Sequence, residues 1–460
     1  MKFKILTYGC AMNKADSECI AGIIREKFHC EIEEYFVDEA KNFAPDEENL
    51  NSGNNFLIIN TCIVKQPTEN KILDLMRKIE NKRENEKYPN VIVSGCLPAA
   101  YPEICGKFKF SFIGTNVSDI DKAIDEAIEG RKFVRIEKQK NKLCIPKFSF
   151  NKFISIIPIS EGCLGNCSYC STKLARKNLT SYKEEEITET IKNAVNNNAK
   201  EIWLTSQDTG CYGLDTGTNI ANLLKKICRI EGKFKVRVGM LNPNFALNFL
   251  DDLIEVFKNE KFYRFIHIPV QSGSNKILSD MKRNYCVGDF IKVAEKFKSI
   301  DASISTDIIV GFPTETEDDF KATVELIKKI KPDILNVSKF YVRKGTMAEK
   351  NIRNRQWKCD TKIAKERSSL ISKIFREISG ENNKKWLNWE GEILTDEEDD
   401  NVLIGRNFAY KKIHIRGDEY NDKMSGKFVR CRIIKAGEIL EGEILENFEN
   451  MRDFENIRTK

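Results

Sequence analysis

Between residues 161 and 170 the chain reads Glu-Gly-Cys-Leu-Gly-Asn-Cys-Ser-Tyr-Cys, and any fold it adopts has to gather the thiols of Cys163, Cys167 and Cys170 around one point. Thiolates are soft ligands that suit zinc, copper(I) and iron–sulfur clusters. Structural zinc takes four ligands, usually as two close pairs. Here the next cysteine is Cys211, no second CxxC follows, and His29, His267 and His414 stand in unrelated contexts, so zinc fits poorly. Four irons held by three cysteines leave one iron without a protein ligand, open to a small molecule as the fourth position of a catalytic zinc is. The spacing points to catalysis rather than structure.

The surrounding chain alternates between strand and helix periods. In residues 1–130, strand patterns fall at 3–8, 56–59, 91–93 and 110–113, and helical spacing at 15–28, 68–84 and 117–128, which predicts an α/β domain with a parallel sheet. Three of these strands end alike, at Cys10, Cys62 and Cys96. Parallel strands share one carboxyl edge, where such folds place their ligands, so a second three-cysteine cluster is expected there. Residues 131–151 are basic and irregular and read as a solvated linker without a site.

From residue 152 to 387 the rhythm restarts and runs for six units. Strands are expected at 154–157, 201–204, 236–238, 265–268, 303–310 and 334–340, and helices at 184–197, 220–230, 249–258, 287–299 and 316–330. Repeated units of this kind make a barrel with its chemistry at the strands' carboxyl ends, and the CxxxCxxC loop follows the first strand. Six units leave one side open. The stretches 206–210, 269–274 and 311–315 lie at the same level and supply glycine and directed polar groups. A charged helix over 350–387, apolar at Ile363, Leu370, Ile374 and Ile378, is expected to pack on the barrel. Nucleic-acid contact by its Lys365, Arg367, Lys373 or Arg376 is the lesser option.

Residues 388–448 turn to short alternating runs parted by Gly, Asn and Asp, the pattern of a small antiparallel barrel. Its basic residues, among them Arg406, Lys411, Lys412, Arg416, Lys427, Arg430 and Arg432, interleave with Phe408 and Tyr410, as in an RNA binder; the acidic run at 396–400 confines any such face. The tail, 449–460, is too polar for a membrane.

Composition narrows the class. With 41% hydrophobic and 31% charged residues, no apolar run of spanning length and no signal-peptide layout, a cytoplasmic protein is expected. Fifteen cysteines in that compartment indicate metal or redox chemistry before disulfides. The net charge of +6, from 75 basic and 69 acidic residues, permits a nucleic-acid partner without arguing for one. Oligomeric state has no sequence signal. The nine cysteines outside the two sets, Cys19, Cys30, Cys105, Cys144, Cys211, Cys228, Cys286, Cys359 and Cys431, are read as structural, with Cys211 beside the stretch that follows the second barrel strand.

CxxxCxxC with Tyr169 before its last cysteine resembles the signature of the radical S-adenosylmethionine (SAM) enzymes. Nearly the whole chain is similar to the radical SAM methylthiotransferases: a Rossmann-like N-terminal domain, a central partial (β/α)6 barrel and a C-terminal TRAM domain. The runs 163–176, 206–210 and 267–274 resemble the archaeal and eukaryotic branch that modifies N6-threonylcarbamoyladenosine at position 37 of tRNA. The resemblance implies two [4Fe-4S] clusters, one on Cys163, Cys167 and Cys170, the other, auxiliary, on Cys10, Cys62 and Cys96. It implies SAM as radical source and methyl donor, an electron donor, and tRNA as partner. One SAM would be cleaved to a deoxyadenosyl radical that takes the C2 hydrogen, the auxiliary cluster would give sulfur, and a second SAM the methyl group. The expected cofactor contacts are Tyr169, Gln207, Asp208, Arg237, Gln271, Ser272 and Asp307; the expected RNA contacts are Arg406, Lys411, Lys412, Arg430 and Arg432.

Two departures bear on loop shape, Lys177 where the family has glycine and Lys344 where it has proline, and the first also touches the carry-over of Arg176 as a cofactor contact. Isopentenyladenosine tRNA and ribosomal protein S12 remain alternative substrates. A non-catalytic iron–sulfur protein is the alternative of another class, against which stand three ligands per cluster where carriers use four.

Overall fold

The computed structural model describes residues 1–37, 55–82, 90–137, 141–399, 402–415 and 424–447. The expected helix end at 83–84, the basic run 138–140, Asp400, Arg416 and the tail lie outside these described residues.

The N-terminal unit runs β1 (Lys2–Thr7), α1 (Ala11–Phe28), β2 (Ile32–Phe36), β3 (Asn55–Thr61), α2 (Gln66–Lys82), β4 (Asn90–Gly95), α3 (Cys96–Ala100), β5 (Ser111–Gly114) and α4 (Ile120–Ile128). Its five strands are parallel in the order β2-β1-β3-β4-β5. Successive side chains of a strand point to opposite faces. Phe3, Ile5, Phe56 and Ile58 therefore pack with α1 and α4, while Leu6, Leu57, Ile59 and Val93 pack with α2. A sheet buried on both faces gives continuous apolar runs, and these made the central strands readable.

The segment that follows is docked, not solvated as expected. Pro146 crosses α1 at Gly22, where a Cβ would lie 2.2 Å from the Pro146 carbonyl oxygen. Lys132 Nζ donates to the carbonyls of Cys105 (2.5 Å) and Phe108 (2.7 Å), and Lys142 is buried.

The large half-barrel contains β6 (Ile154–Pro158), β7 (Ser160–Glu161), α5 (Thr172–Arg176), β8 (Thr180–Ser181), α6 (Glu184–Asn196), β9 (Glu201–Thr205), α7 (Ile220–Cys228), β10 (Lys235–Val238), α8 (Pro243–Asn248), α9 (Leu250–Phe257), β11 (Phe265–His267), α10 (Asn275–Asp280), α11 (Val287–Lys298), β12 (Ser303–Val310), α12 (Glu317–Ile330) and β13 (Ile334–Lys339). Two parallel three-stranded sheets, β6-β9-β10 and β11-β12-β13, form the arc. They are joined where Tyr263 N–H donates to the Val236 carbonyl and Leu241 N–H to the His267 carbonyl, both at 3.0 Å. Outward residues such as Ile202, Leu204, Val236, Ile266, Ile304 and Ile308 are buried with the helices.

Two helices follow, α13 (Met347–Arg353) and α14 (Thr361–Lys384). The second packs on the barrel through Ala364, Arg367, Ile371 and Ile378, while Ile363 and Leu370 are exposed, which rotates the expected face. Arg367 sets the rotation, because its guanidinium is paired with Glu315 (2.6 Å) and Glu317 (3.2 Å) of the barrel. It is therefore removed from any nucleic-acid role. The chain ends in a closed barrel of β14 (Glu390–Asp399), β15 (Val402–Arg406), β16 (Lys412–Ile415), β17 (Lys427–Ala436) and β18 (Leu440–Asn447), ordered β14-β15-β16-β18-β17. It is antiparallel except where β16 meets β18 in parallel.

Candidate active site

The first cysteine set lies at one edge of the N-terminal sheet. Cys62 and Cys96 directly follow β3 and β4 and Cys10 stands three residues past β1, and glycines with positive φ, Gly9 (+106°) and Gly95 (+93°), precede two of them. At Gly9 a Cβ would lie 2.7 Å from Cys62 Sγ, so only glycine lets the end of β1 approach that sulfur. Asn13 and Asn60 lock the strand ends together: Asn13 Nδ2 donates to the Thr61 carbonyl (2.8 Å) and Asn60 Nδ2 to the Asn13 carbonyl (2.7 Å). Cys10 is exposed, whereas Cys62 and Cys96 are buried. Burial pushes the Cys96 thiol up, opposed by the charge of the Arg176 guanidinium.

The second set lies in the loop between β7 and α5. A Cβ at Gly165 would lie 3.3 Å from Cys163 Sγ and 3.7 Å from Cys167 Sγ, so both sulfurs close over a bare backbone. Gly165 N–H donates to Cys163 Sγ and Arg283 Nη1 to Cys167 Sγ, each at 3.1 Å. Converging thiols with N–H donors behind them suit a group that takes three thiolates and spreads negative charge over sulfur. Burial and then the Cys167 charge raise the Cys170 thiol. Tyr169 packs edge-on to Phe312 with ring centroids 6.4 Å apart.

Cys211 is fully buried, donates to the Asp208 carbonyl (3.1 Å) and lies beside the cysteine loop. Its sulfur, Cys163 Sγ and a carboxylate oxygen of Asp208 lie within 4.8 Å of one another, and its hydrogen bond to Cys163 lowers the Cys163 thiol. Cys144 and Cys286 are exposed, Cys286 within the N-terminal cap of α11. Arg283 carried no sequence signal; it reaches Cys167 across 116 positions.

Of the expected cofactor contacts, Gln207 Oε1 accepts from Gly162 N–H (2.6 Å) at the root of the cysteine loop. Asp208 is buried and accepts from Asn242 Nδ2 (2.6 Å) and Gly210 N–H (3.0 Å), so it shapes its own turn. Ser272 is buried likewise, accepting from Ser274 N–H at 3.2 Å. Gln271 holds a φ of +69°, and its backbone bridges to Asp307 and Ile309. Asp307 accepts from His267 Nε2 (2.9 Å) and Asn336 Nδ2 (2.8 Å). Burial disfavours its charge, but His267 and Asn336 prevail and hold the carboxyl below its ordinary range. Arg237 stands apart among Trp203, Phe265 and Tyr410.

The two cysteine sets meet across a charged seam. Ser171 Oγ donates to the Ile63 carbonyl (3.0 Å), joining the residues that follow Cys170 and Cys62. Arg176 pairs with Asp16 (2.7 Å) and Glu161 (3.0 Å), and Lys142 with the same two carboxylates at 2.5 Å each, all four side chains being buried. Arg343 adds a hydrogen bond to Gln66 (2.7 Å) and an ion pair with Glu69 (3.1 Å).

The expected RNA contacts divide. Arg406 is buried between Asp396 (2.7 Å) and Glu397 (2.8 Å), and Lys411 is buried against Asp333 (2.8 Å). Tyr410 packs on Tyr263 and Phe265 (4.7 and 4.9 Å), and Phe408 on Trp386 (5.7 Å). Lys411 and Tyr410 fasten the small barrel to the large one, and the burial of Arg406 and Lys411 takes both from any RNA surface, a correction to the expectation. Lys412, Arg430 and Arg432 stay accessible beside Glu397, Glu390 and Glu443.

Comparison with known proteins places this geometry. The radical SAM superfamily profile matches residues 157–327, and that of an uncharacterized protein family, UPF0004, matches residues 2–110. A "Probable threonylcarbamoyladenosine tRNA methylthiotransferase" of Pyrococcus abyssi is 42% identical over 86% of this chain and 88% of its own. One from Archaeoglobus fulgidus is 41% identical over 94% and 96%. The human "Threonylcarbamoyladenosine tRNA methylthiotransferase" is 34% identical over 95% and 72%. Among solved structures, the radical SAM methyltransferase TsrM of Kitasatospora setae superposes with a TM-score of 0.55 at 12% identity, covering 77% of this chain and 78% of that one, a likeness of fold alone. No helix among the described residues is long and apolar enough to cross a membrane.

Proposed function

The chain belongs to the threonylcarbamoyladenosine tRNA methylthiotransferase branch of the radical SAM methylthiotransferases, and from that premise we propose that it converts N6-threonylcarbamoyladenosine at position 37 of tRNA to its 2-methylthio derivative. SAM and [4Fe-4S] clusters are its cofactors. The observation that carries the reading is the contact between the two cysteine loops, where Ser171 Oγ bonds the Ile63 carbonyl.

Cys163, Cys167 and Cys170 would hold the cluster that takes SAM, and Cys10, Cys62 and Cys96 the auxiliary one. Together these groups supply the one-electron chemistry, sulfur and methyl that no side chain brings to an unactivated aromatic C–H bond. The chain's own residues hold and shelter them. Gly165 N–H and Arg283 donate to the sulfurs of Cys163 and Cys167, and the Arg176 charge stands near Cys96, which favours electron-rich sulfur. The edge-on packing of Tyr169 and Phe312 fixes the last turn of the radical-cluster loop against the barrel. The small barrel serves as a TRAM-type RNA-binding domain through Lys412, Arg430 and Arg432, a cellular electron donor provides reduction, and the setting is cytoplasmic.

The test is mass spectrometry of tRNA nucleosides from a host lacking its own enzyme, supplied with the wild-type gene or with Cys10→Ala. A methylthio adduct on threonylcarbamoyladenosine that disappears in Cys10→Ala is expected. An adduct on isopentenyladenosine, or none, would reject the assignment.

A further inference from the structure

One sulfur of the radical-cluster loop has a cation resting on it. Arg283 Nη1 donates to Cys167 Sγ at 3.1 Å. The fold builds this contact from two sides. Helix α10 ends in a Schellman turn, in which Lys282 is left-handed (φ +55°), its N–H donates to the Ser279 carbonyl (2.9 Å) and the Arg283 N–H donates to the Leu278 carbonyl (2.8 Å). That turn is clamped to the cysteine loop at the residue beside Cys167. Ser168 N–H donates to the Met281 carbonyl (3.0 Å) and Ser168 Oγ to that of Asp280 (2.8 Å). On the other side, the Arg283 guanidinium carbon lies 5.3 Å from the ring centroid of Tyr285, whose hydroxyl donates to the Pro269 carbonyl (2.8 Å) just past β11. Backbone and ring together hold the guanidinium on the sulfur.

The acceptor, not the burial, sets Arg283 apart. Arg176 pairs with Asp16 and Glu161, Arg343 with Glu69, Arg367 with Glu315 and Glu317, and Arg406 with Asp396 and Glu397. No carboxylate among the described residues forms an ion pair with Arg283, although Asp208 and Asp307 feel its charge from farther off. Near the other cysteine set, the charge of Arg176 is already matched by its two carboxylates. Lys173, also in the radical-cluster loop, donates to the Cys163 carbonyl and not to a sulfur. The charge of Arg283 is thus left for whatever negative charge gathers on the thiolates of that loop.

A four-iron cluster on three thiolates carries one net negative charge when oxidised and two when reduced, and its potential responds to net charge and to hydrogen bonds on sulfur. We propose that Arg283 sets the reduction potential of the cluster held by Cys163, Cys167 and Cys170, by stabilising the electron that this cluster must take up before SAM is cleaved. At that step one electron enters from a low-potential one-electron carrier, no bond forms or breaks, and the negative charge shared by the sulfurs rises by one. The fixed guanidinium then attracts the reduced form more strongly than the oxidised one. No proton has to accompany the electron, because arginine keeps its own across the working pH range. The proposal rests on the functional reading above for the identity of the group.

The test is an EPR-monitored potentiometric titration of the full-length, cluster-loaded protein, run with and without SAM, which perturbs the signal of the cluster it binds and so identifies that cluster. Arg283→Gln is expected to lower that midpoint by about 59 mV or more, a factor of ten in a one-electron equilibrium, and to leave the other cluster's midpoint in place. Arg283→Lys, which keeps the charge, should recover part of the shift. SAM cleavage driven by dithionite should fall in Arg283→Gln and return with Ti(III) citrate, a stronger reductant; a merely misplaced loop would not be rescued that way. An unmoved midpoint at full cluster content overturns the proposal, and so does a cleavage defect that persists under the stronger reductant. Should Arg283→Gln fail to hold its cluster, the wild type decides: with arginine labelled by 15N at the guanidinium, pulsed EPR of the reduced, SAM-responsive cluster should show a 15N coupling, and its absence overturns the proposal. If SAM perturbs neither signal, the functional reading fails, and the midpoints of wild type and Arg283→Gln still decide the role of Arg283.

Discussion

Lys177 closes α5 with φ +55° and ψ −133°, a backbone region that only glycine occupies without strain. The resemblance noted from sequence puts glycine at this position in the family, and the geometry gives the reason: the chain must reverse here so that Thr180 can pair with Glu161 beside the cysteine loop. Lys177→Gly is therefore expected to stabilise the protein by about 1 kcal/mol, the strain released less the entropy a glycine loses on folding. An unchanged or lower melting temperature would count against this. At this scale the sequence was informative where chemistry depends on residue type and spacing, as for the thiols of 163, 167 and 170. Cys211 and Arg283 could not be read, because only the folded chain brings them to those thiols.

Among the elements, β2 shows what periodicity misses. Its five residues, Ile-Glu-Glu-Tyr-Phe, carry two charges and no apolar run; parallel pairing with β1, from Phe3 opposite Ile32 to Thr7 opposite Phe36, makes them a strand. Edge strands tolerate such sequences because one side faces water. Burial pushes the Glu34 carboxyl up to about 7 from its ordinary 4.5, although the Thr7 hydroxyl bonds to it. A raised carboxyl pKa means that the folded state holds its proton longer than the unfolded chain, so ionising it costs stability as pH rises from about 4.5 to about 7, and the cost is full above that. Glu34→Gln should accordingly be more stable than the wild type at pH 8, with the advantage shrinking at pH 5.5, as read from urea midpoints at the two values. A constant difference would place the effect elsewhere than in this proton. The fifth strand of the small barrel, β18, escaped sequence reading for a related reason, since its glycine and glutamates mask the alternation.

At the scale of the whole molecule, the order of units was legible and the seams between them were not. Hydrophobic period reports each unit's own core, whereas the seams are made of charges that look solvated in sequence. Arg406 and Lys411 read as an RNA surface, yet Arg406 is buried against Asp396 within the small barrel and Lys411 ties that barrel to Asp333 of the large one, and Lys142 read as linker yet lies between Asp16 and Glu161. Burial works against the Asp16 carboxylate, but Arg176 and Lys142 hold it below the usual range, so the four groups form a neutral set. Removing one member strands a buried charge, at a cost of about 3–5 kcal/mol, far more than a surface pair is worth. In Lys142→Met, Asp16 and Glu161 would share Arg176 alone. The N-terminal unit should then separate from the barrel before either unfolds, giving two calorimetric transitions where the wild type gives fewer, and Asp16→Asn in the same chain should restore part of the loss by removing the excess charge. The contact of Ser171 with Ile63 depends on that docking, so methylthio transfer in the Lys142→Met protein should fall further than SAM cleavage does. A proportional fall in both would mean that the seam only stabilises the fold and does not hold the two cysteine sets in register.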